Sequence, residues 1–489
     1  MIMEYLEIFI LIFSFITLLV IGVPIAISIG ISGVLTMLVS IDFIPAVTTF
    51  SHRMATGLDS FSLLAIPFFI LAGNIMNSGG IAIRLIDFAR VLVGRIPGGV
   101  AIVNVVANML FGAISGSAAA SASAIGSIMQ PEMKKEGYPE NFSAAVNISS
   151  ATTGLSIPPS NILIVYSLAS GGVSITALFL AGYLPGILTG IGIMLTVITM
   201  LTYKKNGLKA AIKTLAISLL LAIGLIFIFN GVSFARTSFS LTVNSIILFI
   251  ASAAFIVWAI VNVNRNKQKA IENTRKFLDA VPSLMMLVIV IGGIVGGFFT
   301  ATEASAIAVL YSLILAFIYR QVSVKDLPNI ILRSIKTTGI VMLLVAASIG
   351  LSWIMAYENI PQSVSSSLLS LSSNPIVILL LINVILLLVG VFMDMTPAVL
   401  IFTPIFLPIV TAMGVDPIHF GIIMVLNLSV GLCTPPVGSV LFIGCSVAGL
   451  SIDKVIKPLL PMFLSMVIVL LLVTYIPEIS LWLPKSLGF

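Results

Sequence analysis

The sequence predicts an all-α polytopic membrane protein with two inverted repeats, and three observations support this fold class. Hydrophobic residues make up 59% of the 489 positions, charged residues make up 8%, and the mean hydropathy is +1.24. Two similar stretches, 153–159 and 430–436, interrupt long apolar sequence with a Gly and a Pro pair. Other pairs of matching residues have the same separation along the sequence as these two stretches. The composition indicates a protein that crosses a bilayer many times.

Apolar segments of spanning length occur along the whole chain. A spanning helix needs ~20 residues, and the segments 11–39, 177–202 and 455–475 are longer than this. Roughly eleven crossings plus re-entrant hairpins fit the chain. Residues 8–38 are predicted to form the first span, with a kink at Gly22-Val23-Pro24. No cleavable signal peptide is expected, because the first apolar run is too long and lacks a basic leader.

Composition and motifs argue against an enzyme. The two cysteines, Cys433 and Cys445, lie in apolar sequence, so neither a disulfide framework nor a cysteine metal centre is expected. The chain contains no Gly-x-Ser-x-Gly, His-Glu-x-x-His or paired-Asp protease pattern, and it has only two histidines for acid–base chemistry. We therefore expect no intramembrane enzyme.

The two interrupted stretches predict two broken helices. Gly154 and the Pro pair from Pro158 interrupt the first, and Gly431 and the Pro pair from Pro435 interrupt the second. A break within hydrocarbon leaves backbone C=O and N–H groups without partners, at a cost of several kcal/mol per group. The breaks must therefore line something polar. Interruptions at corresponding positions of two halves indicate the substrate and coupling-ion site of a secondary transporter.

A constant offset relates the two halves of the chain. Gly154 and Gly431 lie 277 positions apart. The same offset relates three further pairs, Pro131 and Pro408, Gly137 and Gly414, and Thr152 and Ser429. A gapless match over more than 40 positions, at Gly, Pro and hydroxyl residues, indicates an internal duplication.

The basic residues show that the two repeats are inverted. Lys134 and Lys135 follow the first hairpin segment, whereas the corresponding loop 413–417 has no basic residue. After the broken helices the pattern reverses, because 174–177 is uncharged and 451–457 carries two lysines. Cytoplasmic loops carry the excess of Lys and Arg. Corresponding loops are therefore expected on opposite faces of the membrane.

The chain is predicted to divide into three parts. Residues 1–203 form the first inverted repeat, with scaffold helices, a hairpin and a broken helix. Residues 204–276 form an inserted transmembrane helix pair, at about 211–232 and 242–263, with a cytoplasmic basic linker. Residues 277–489 form the second inverted repeat, which has no counterpart to the inserted pair.

Each repeat contains a stretch that is predicted to enter the membrane and turn back. In the first repeat the turn is Ser115-Gly116-Ser117, in an apolar stretch bounded on both sides by cytoplasmic cations. In the second repeat Asp394 and Thr396 lie at the corresponding turn. A carboxylate in Leu-rich sequence is a functional-site hypothesis by default, against the alternative of a satisfied structural carboxylate. Glu303 either joins such a site or hydrogen-bonds the neighbouring hydroxyls.

The turns and breaks together supply the candidate ion and substrate residues. Their carbonyl and hydroxyl oxygens suit Na⁺, and half-helix N-termini supply partial positive charge for a substrate carboxylate. Two or more sodium ions are expected. One cation is expected at Ser115, Gly116 and Ser117 with Thr152, Gly154 and Pro158, and another at Asp394 and Thr396 with Ser429, Gly431, Thr434 and Pro435.

These motifs resemble the large permease subunit of tripartite ATP-independent periplasmic (TRAP) transporters. The resemblance rests on 115–117, 154–160, 300–304 and 431–438, and it covers roughly 5–203 and 277–480. Two features depart from the family: Ala301 stands where Pro is usual, and the insertion at about 205–265 is unusual.

The resemblance implies a sodium-driven importer of small organic anions in the bacterial inner membrane, with sialic acid, C4-dicarboxylates and keto acids as possible substrates. It implies an elevator arrangement, in which the hairpins and broken helices move against a scaffold. It also implies two partners, a small membrane subunit and a periplasmic substrate-binding protein. The residues alone leave open a symporter of elevator type that uses Na⁺ or H⁺ without a binding protein, and a channel.

Overall fold

A computed structural model of the chain describes residues 2–94, 96, 98–238, 267–372, 374–435 and 438–489. Side chains at 2–5, 208–271, 273 and 369 lie outside this description. Within the described residues the chain forms twenty α-helices and two short 3₁₀ helices, without a β-strand.

Ten of these helices lie before residue 239. They are α1 (Ile2–Val20), α2 (Ile25–Met37), α3 (Phe43–Gly57), α4 (Ala65–Ser78), α5 (Ile81–Val93), α6 (Gly99–Ser115), α7 (Ala118–Lys135), α8 (Glu140–Ala151), α9 (Asn161–Ala169) and α10 (Ile175–Ser238). The 3₁₀ helices are Phe61–Leu64, before α4, and Thr153–Leu155, after α8. Helix α10 is interrupted at Gly207, whose φ of 80° and ψ of −178° are not helical.

The other ten helices begin at Lys267. They are α11 (Lys267–Val295), α12 (Ala301–Ile318), α13 (Leu327–Tyr357), α14 (Ile360–Leu371), α15 (Pro375–Phe392), α16 (Met395–Ala412), α17 (Pro417–Gly431), α18 (Ser439–Ala448), α19 (Ile452–Tyr475) and α20 (Glu478–Ser486). In the described part of the chain, eight helical segments are long and apolar enough to span a membrane. The predicted all-α polytopic fold is confirmed.

The predicted first span is wrong. Residues 8–38 do not form one kinked helix, because α1 ends at Val20 and α2 begins at Ile25 and packs against α1. Gly22 has a φ of 88°, a conformation that glycine adopts without steric cost. Pro24 has no N–H to donate and stands directly before α2. The chain therefore turns between two helices rather than bending within one.

The helix bounds reproduce the offset that the sequence predicts. Helices α7 and α16 begin 277 positions apart, at Ala118 and Met395, and they also end 277 positions apart. The starts of α8 and α17, and those of α10 and α19, have the same separation.

We call α6–α7 hairpin 1 and α15–α16 hairpin 2. The gap between α8 and α9 is break 1, and the gap between α17 and α18 is break 2. Two hairpins and two broken helices are thus confirmed.

The two repeats pack on each other reciprocally. The second helix of hairpin 1, α7, contacts α18 of the second broken helix, and the second helix of hairpin 2, α16, contacts α9 of the first. A separate group of helices, α2, α4, α12 and α13, packs together beside the hairpins. Helix α13 of this group contacts hairpin 2, and α4 contacts hairpin 1. The site between the hairpins is therefore built by both halves of the chain.

Each hairpin crosses its broken helix at a pair of glycines. A Cβ added to Gly154 would lie 2.4 Å from the Cα of Gly112, and one added to Gly431 would lie 2.7 Å from the Cα of Gly390. Real Cβ atoms do not approach backbone this closely, so the two backbones can touch only because all four side chains are absent. These contacts bring the hairpin tips close to the breaks.

The inserted segment is described only in part. The predicted helix at about 211–232 lies within α10, and the predicted helix at 242–263 lies outside the described residues. The three-part division of the chain stays a prediction.

Candidate functional site

The tip of hairpin 1 is a tight turn between two helices. Helix α6 ends at Ser115, and Gly116 takes a left-handed φ of 61° that reverses the chain. Ser117 then caps α7, since its Oγ accepts a hydrogen bond from the N–H of Ala120 at 3.2 Å. Helix α4 touches this tip, because a Cβ added to Gly73 would lie 2.9 Å from the carbonyl oxygen of Ser115.

The tip of hairpin 2 has a carboxylate at the equivalent turn. Asp394 stands at the N-cap position of α16, and no hydrogen bond from its side chain caps the helix. The side chain is exposed, and it lines a cavity together with Met395 and Thr396. A carboxylate in this position places negative charge beside the first turn of a helix, where the helix dipole favours it.

The two breaks are held by local hydrogen bonds. In break 1, Ser160 Oγ donates to the carbonyl oxygen of Leu155 at 2.5 Å, whereas the buried hydroxyl of Ser156 has no partner among the described residues. In break 2, the N–H of Val440 donates to the carbonyl oxygen of Leu432 at 3.1 Å. Bonds of this kind fix the ends of the half-helices.

A cavity of about 460 Å³ lies between the two hairpin tips. Four helix N-termini reach it, at Ala118 of α7, Asn161 of α9, Met395 of α16 and Ser439 of α18. Each N-terminus carries partial positive charge, which favours anions. The cavity is therefore suited to an anionic group close to the tips.

The charge on the cavity wall is low and negative. Among the described residues that line it there is no Lys, Arg or His, and Asp394 is the one charged side chain. The rest of the wall is mostly apolar, with Ile66, Ile70, Val165 and Val341 among its members. Any positive charge for an anion must therefore come from the helix N-termini or from bound cations.

The predicted site residues fall into two groups. Those of the hairpin tips line the cavity, and they are Ser115, Gly116, Ser117, Asp394 and Thr396. Those of the broken helices do not line the cavity, and they are Thr152, Gly154, Pro158, Ser429, Gly431, Thr434 and Pro435. From the two breaks, Leu155 and Leu432 line the cavity. Pro436, which completes the second motif, lies outside the described residues.

The break hydroxyls that were predicted as ligands bond within their own helices. Thr152 Oγ1 donates to the carbonyl oxygen of Ser149 at 2.9 Å. Thr434 Oγ1 donates to the carbonyl oxygen of Val430, also at 2.9 Å. Since each hydroxyl uses only its proton in this bond, its oxygen lone pairs remain available to a cation.

Glu303 lies outside the cavity. It forms a capping box with Thr300: Glu303 Oε2 accepts the N–H of Thr300 at 2.8 Å and the hydroxyl of Thr300 at 2.9 Å, and Thr300 Oγ1 accepts the N–H of Glu303 at 3.2 Å. Of the two alternatives for this acid, hydrogen bonding to the neighbouring hydroxyl is the one observed. Helix α12 begins at Ala301, directly after this cap.

Sequence reasoning missed the part of the cavity wall that α4 and α13 form. Asn74 of α4 and Thr337 of α13 supply polar side chains there. Neither residue interrupts its helix or belongs to the repeated motifs, so only the tertiary packing reveals its position.

Comparison with known proteins identifies the family. The sequence model of the family described as "Tripartite ATP-independent periplasmic transporter, DctM component" matches residues 12–479. The chain is 49% identical to the protein named YgiK of Salmonella typhimurium, over 98% of each chain. It is 38% identical to the C4-dicarboxylate TRAP transporter large permease protein DctM of Pseudomonas aeruginosa, over 94% of each.

A fused relative and a solved structure are also similar to this chain. The isethionate TRAP transporter permease protein DctMQ of Oleidesulfovibrio alaskensis is 36% identical over 95% of this chain and 64% of that protein. The fold is similar to that of the YdaH transporter of Alcanivorax borkumensis, with a TM-score of 0.58 and 13% identity over 92% of this chain and 91% of the other. By its family match and by these relatives, the chain belongs to the DctM component family of TRAP transporters, which are integral proteins of the bacterial inner membrane.

Proposed function

We propose that this chain is the membrane subunit of a TRAP system that imports small organic anions together with sodium ions. Sialic acid and C4-dicarboxylates are examples of the substrate class. The proposal depends on one observation above all: both hairpin tips and four helix N-termini line a single cavity that has an acid and no basic side chain in its described wall.

The charges of the cavity favour coupling to a cation. A substrate carboxylate near the tips would lie in the same cavity as Asp394, and two negative charges in a site of low dielectric repel each other. Helix N-termini offset part of this repulsion, and bound cations would offset the rest. Anion binding would then depend on sodium, which is the requirement for symport.

The oxygen atoms that we propose as sodium ligands are those where each tip meets a break. One cation would bind at Ser115, Gly116 and Ser117 with break 1, where the unpartnered hydroxyl of Ser156 provides a further oxygen. A second would bind at Asp394 and Thr396 with break 2. This pairing follows the glycine contacts, which hold each tip against its own break.

Sodium coupling supplies enough energy for uptake. Moving one elementary charge through 100 mV is worth ~2.3 kcal/mol. Two sodium ions with a monoanion would import one net positive charge, so the membrane potential adds to the sodium gradient. We propose an elevator movement of the hairpins and broken helices against the group that contains α4 and α13, because the cavity lies between these two groups.

Two partners complete the proposed system. The fused relative DctMQ is larger than this chain, which agrees with a small membrane subunit that works beside the large one. The second partner is a periplasmic substrate-binding protein. Substrate choice would then be shared between that protein and the cavity.

Reconstituted uptake tests the proposal. Proteoliposomes that contain this chain, its small subunit and the binding protein are expected to accumulate a labelled acid from a panel of C4-dicarboxylates, sialic acid and keto acids. Uptake should require an inward sodium gradient and increase with an inside-negative potential. Equal uptake without sodium would contradict the coupling, and a proton gradient that replaces sodium would identify the ion as H⁺.

Omission of the partners tests the alternative. Proteoliposomes with this chain alone should show little uptake at micromolar substrate. Robust uptake by the chain alone would identify a symporter that works without a binding protein.

A further inference from the structure

The α4/α13 wall of the cavity carries a polar group that no repeated motif contains. This wall consists of Ile66, Ile70, Gly73 and Asn74 of α4 with Thr337 and Val341 of α13. Most of its side chains are apolar, so Asn74 and Thr337 decide which polar substrate groups it can bind. The inference that follows rests on the proposed function, since it concerns the substrate of the same cavity.

The orientation of the Asn74 amide is fixed by its neighbours. Ser334 Oγ donates its proton to the carbonyl oxygen of Ile330 at 2.9 Å, so this oxygen can only accept a further hydrogen bond from Asn74. Asn74 Nδ2 donates to it, also at 2.9 Å. Ser334 is buried, which keeps this bond away from water. The Nδ2 atom of Asn74 is therefore held towards α13.

This orientation leaves the Asn74 carbonyl oxygen available. Its Oδ1 accepts no hydrogen bond from any described residue, and the side chain is half-buried at the cavity wall. The Thr337 hydroxyl donates its proton to the carbonyl oxygen of Arg333 at 3.1 Å, so towards the cavity Thr337 is an acceptor as well. The wall thus offers two acceptor oxygens, whereas the hairpin tips offer helix N-termini.

We propose that Asn74 contacts the substrate directly and selects anions that carry a hydroxyl group beside the carboxylate. The carboxylate would bind at the hairpin tips and the helix N-termini. The hydroxyl would donate its proton to Asn74 Oδ1 on the α4/α13 wall, which touches the tip of hairpin 1 at Gly73. An anion without the hydroxyl leaves that oxygen unpaired, and a site built to bond a hydroxyl discriminates against the analogue that lacks it.

Binding to the full-length chain, copurified with its small subunit in nanodiscs containing sodium, tests this inference. The probes are two matched pairs of acids, malate with succinate and lactate with propionate. The unmodified protein is expected to bind the hydroxy acid of at least one pair roughly three- to tenfold more tightly than its partner. In Asn74→Ala this preference should disappear, because the hydroxy acid loses its hydrogen bond to Oδ1, while the affinity for the unsubstituted acid stays within about twofold, because that acid makes no hydrogen bond to Asn74.

Two further variants separate a direct contact from a structural effect. Ser334→Ala removes the group that orients Asn74, so it should reduce the preference without abolishing it. Asn77→Ala is the matched control, because Asn77 lies one turn further along α4, is exposed, and does not line the cavity. This variant should keep the full preference.

The outcomes distinguish this inference from the proposed function. Equal binding within both pairs, or a preference that survives in Asn74→Ala, would overturn the role of Asn74 and leave sodium-coupled anion transport in place. Sodium-independent binding of the acids would overturn the proposed function alone. Failure of all four acids to bind in sodium would overturn both.

Discussion

Gly112 and Gly154 touch backbone to backbone where hairpin 1 crosses the first broken helix. A Cβ on Gly154 would lie 2.4 Å from the Cα of Gly112 and 2.9 Å from the backbone nitrogen of Ala113. The corresponding contact of Gly390 with Gly431 shows that both halves of the chain solve the same packing problem in the same way. The closeness of each tip to its break depends on these contacts.

Gly154→Ala is therefore expected to destabilise the protein. Overpacking of a tight interior costs about 1–3 kcal/mol, and here the added methyl group meets backbone, which cannot change rotamer. A lower Tm in detergent and weaker sodium-dependent binding are expected together. The matched control is Gly339→Ala, since Gly339 is also helical but has no atom within 4 Å of an added Cβ. Equal Tm values for the two variants would contradict the close contact.

Inverted topology predicts opposite labelling at equivalent positions. Lys135 and Ala412 lie 277 positions apart, at the ends of α7 and α16, and both are exposed. In whole cells, Ala412→Cys should react with an impermeant maleimide and Lys135→Cys should react only after the membrane is permeabilised. The native cysteines are both buried and give little background. Reaction of both variants from the same side would exclude inversion.

Asp394→Asn should weaken sodium binding. The substitution keeps the shape and one carbonyl oxygen but removes the negative charge, so the sodium concentration for half-maximal uptake should rise roughly tenfold or more. Uptake at saturating sodium should fall less, and expression in the membrane should stay normal. Asp453→Asn is the control, because Asp453 is an exposed acid at the start of α19, outside the cavity wall. An unchanged sodium requirement in Asp394→Asn would make this acid structural.

Substitution of Glu303 should lower the stability of the protein and leave its sodium requirement unchanged. Its bonds to Thr300 cap α12, and such caps stabilise a helix without touching the cavity. Thr300→Ala and Glu303→Ala are both expected to lower Tm by a few degrees and to leave the sodium dependence of uptake unchanged. A raised sodium requirement in Glu303→Ala alone would return this acid to the ion site.

Much of the fold could be predicted because the sequence repeats its backbone constraints. Glycines and prolines dictate where helices end, so the turn at Gly116 and the helix start at Met395 were readable from residue type and offset. The Thr-x-x-Glu spacing at Thr300 contained the signal for a capping box.

Other features depend on tertiary packing and gave no local signal. The run 8–38 is apolar throughout, and apolarity alone does not distinguish a kink from a full turn at Gly22. Asn74 and Thr337 lie on uninterrupted helices, and whether such a residue faces lipid, core or cavity depends on which helices pack beside it. The sequence therefore located the hairpin tips but not the α4/α13 wall of the cavity.

The reciprocal packing of α7 and α18 affects how the protein is made. Ser439, where α18 begins, follows Ala118, where α7 begins, by 321 residues. At ~5–20 residues per second of synthesis, the polar turn of hairpin 1 exists for tens of seconds before its packing partner is translated. During this interval α7 lacks the helix of the other half against which it packs. The first half of the chain must therefore persist without this packing partner until the second half is translated.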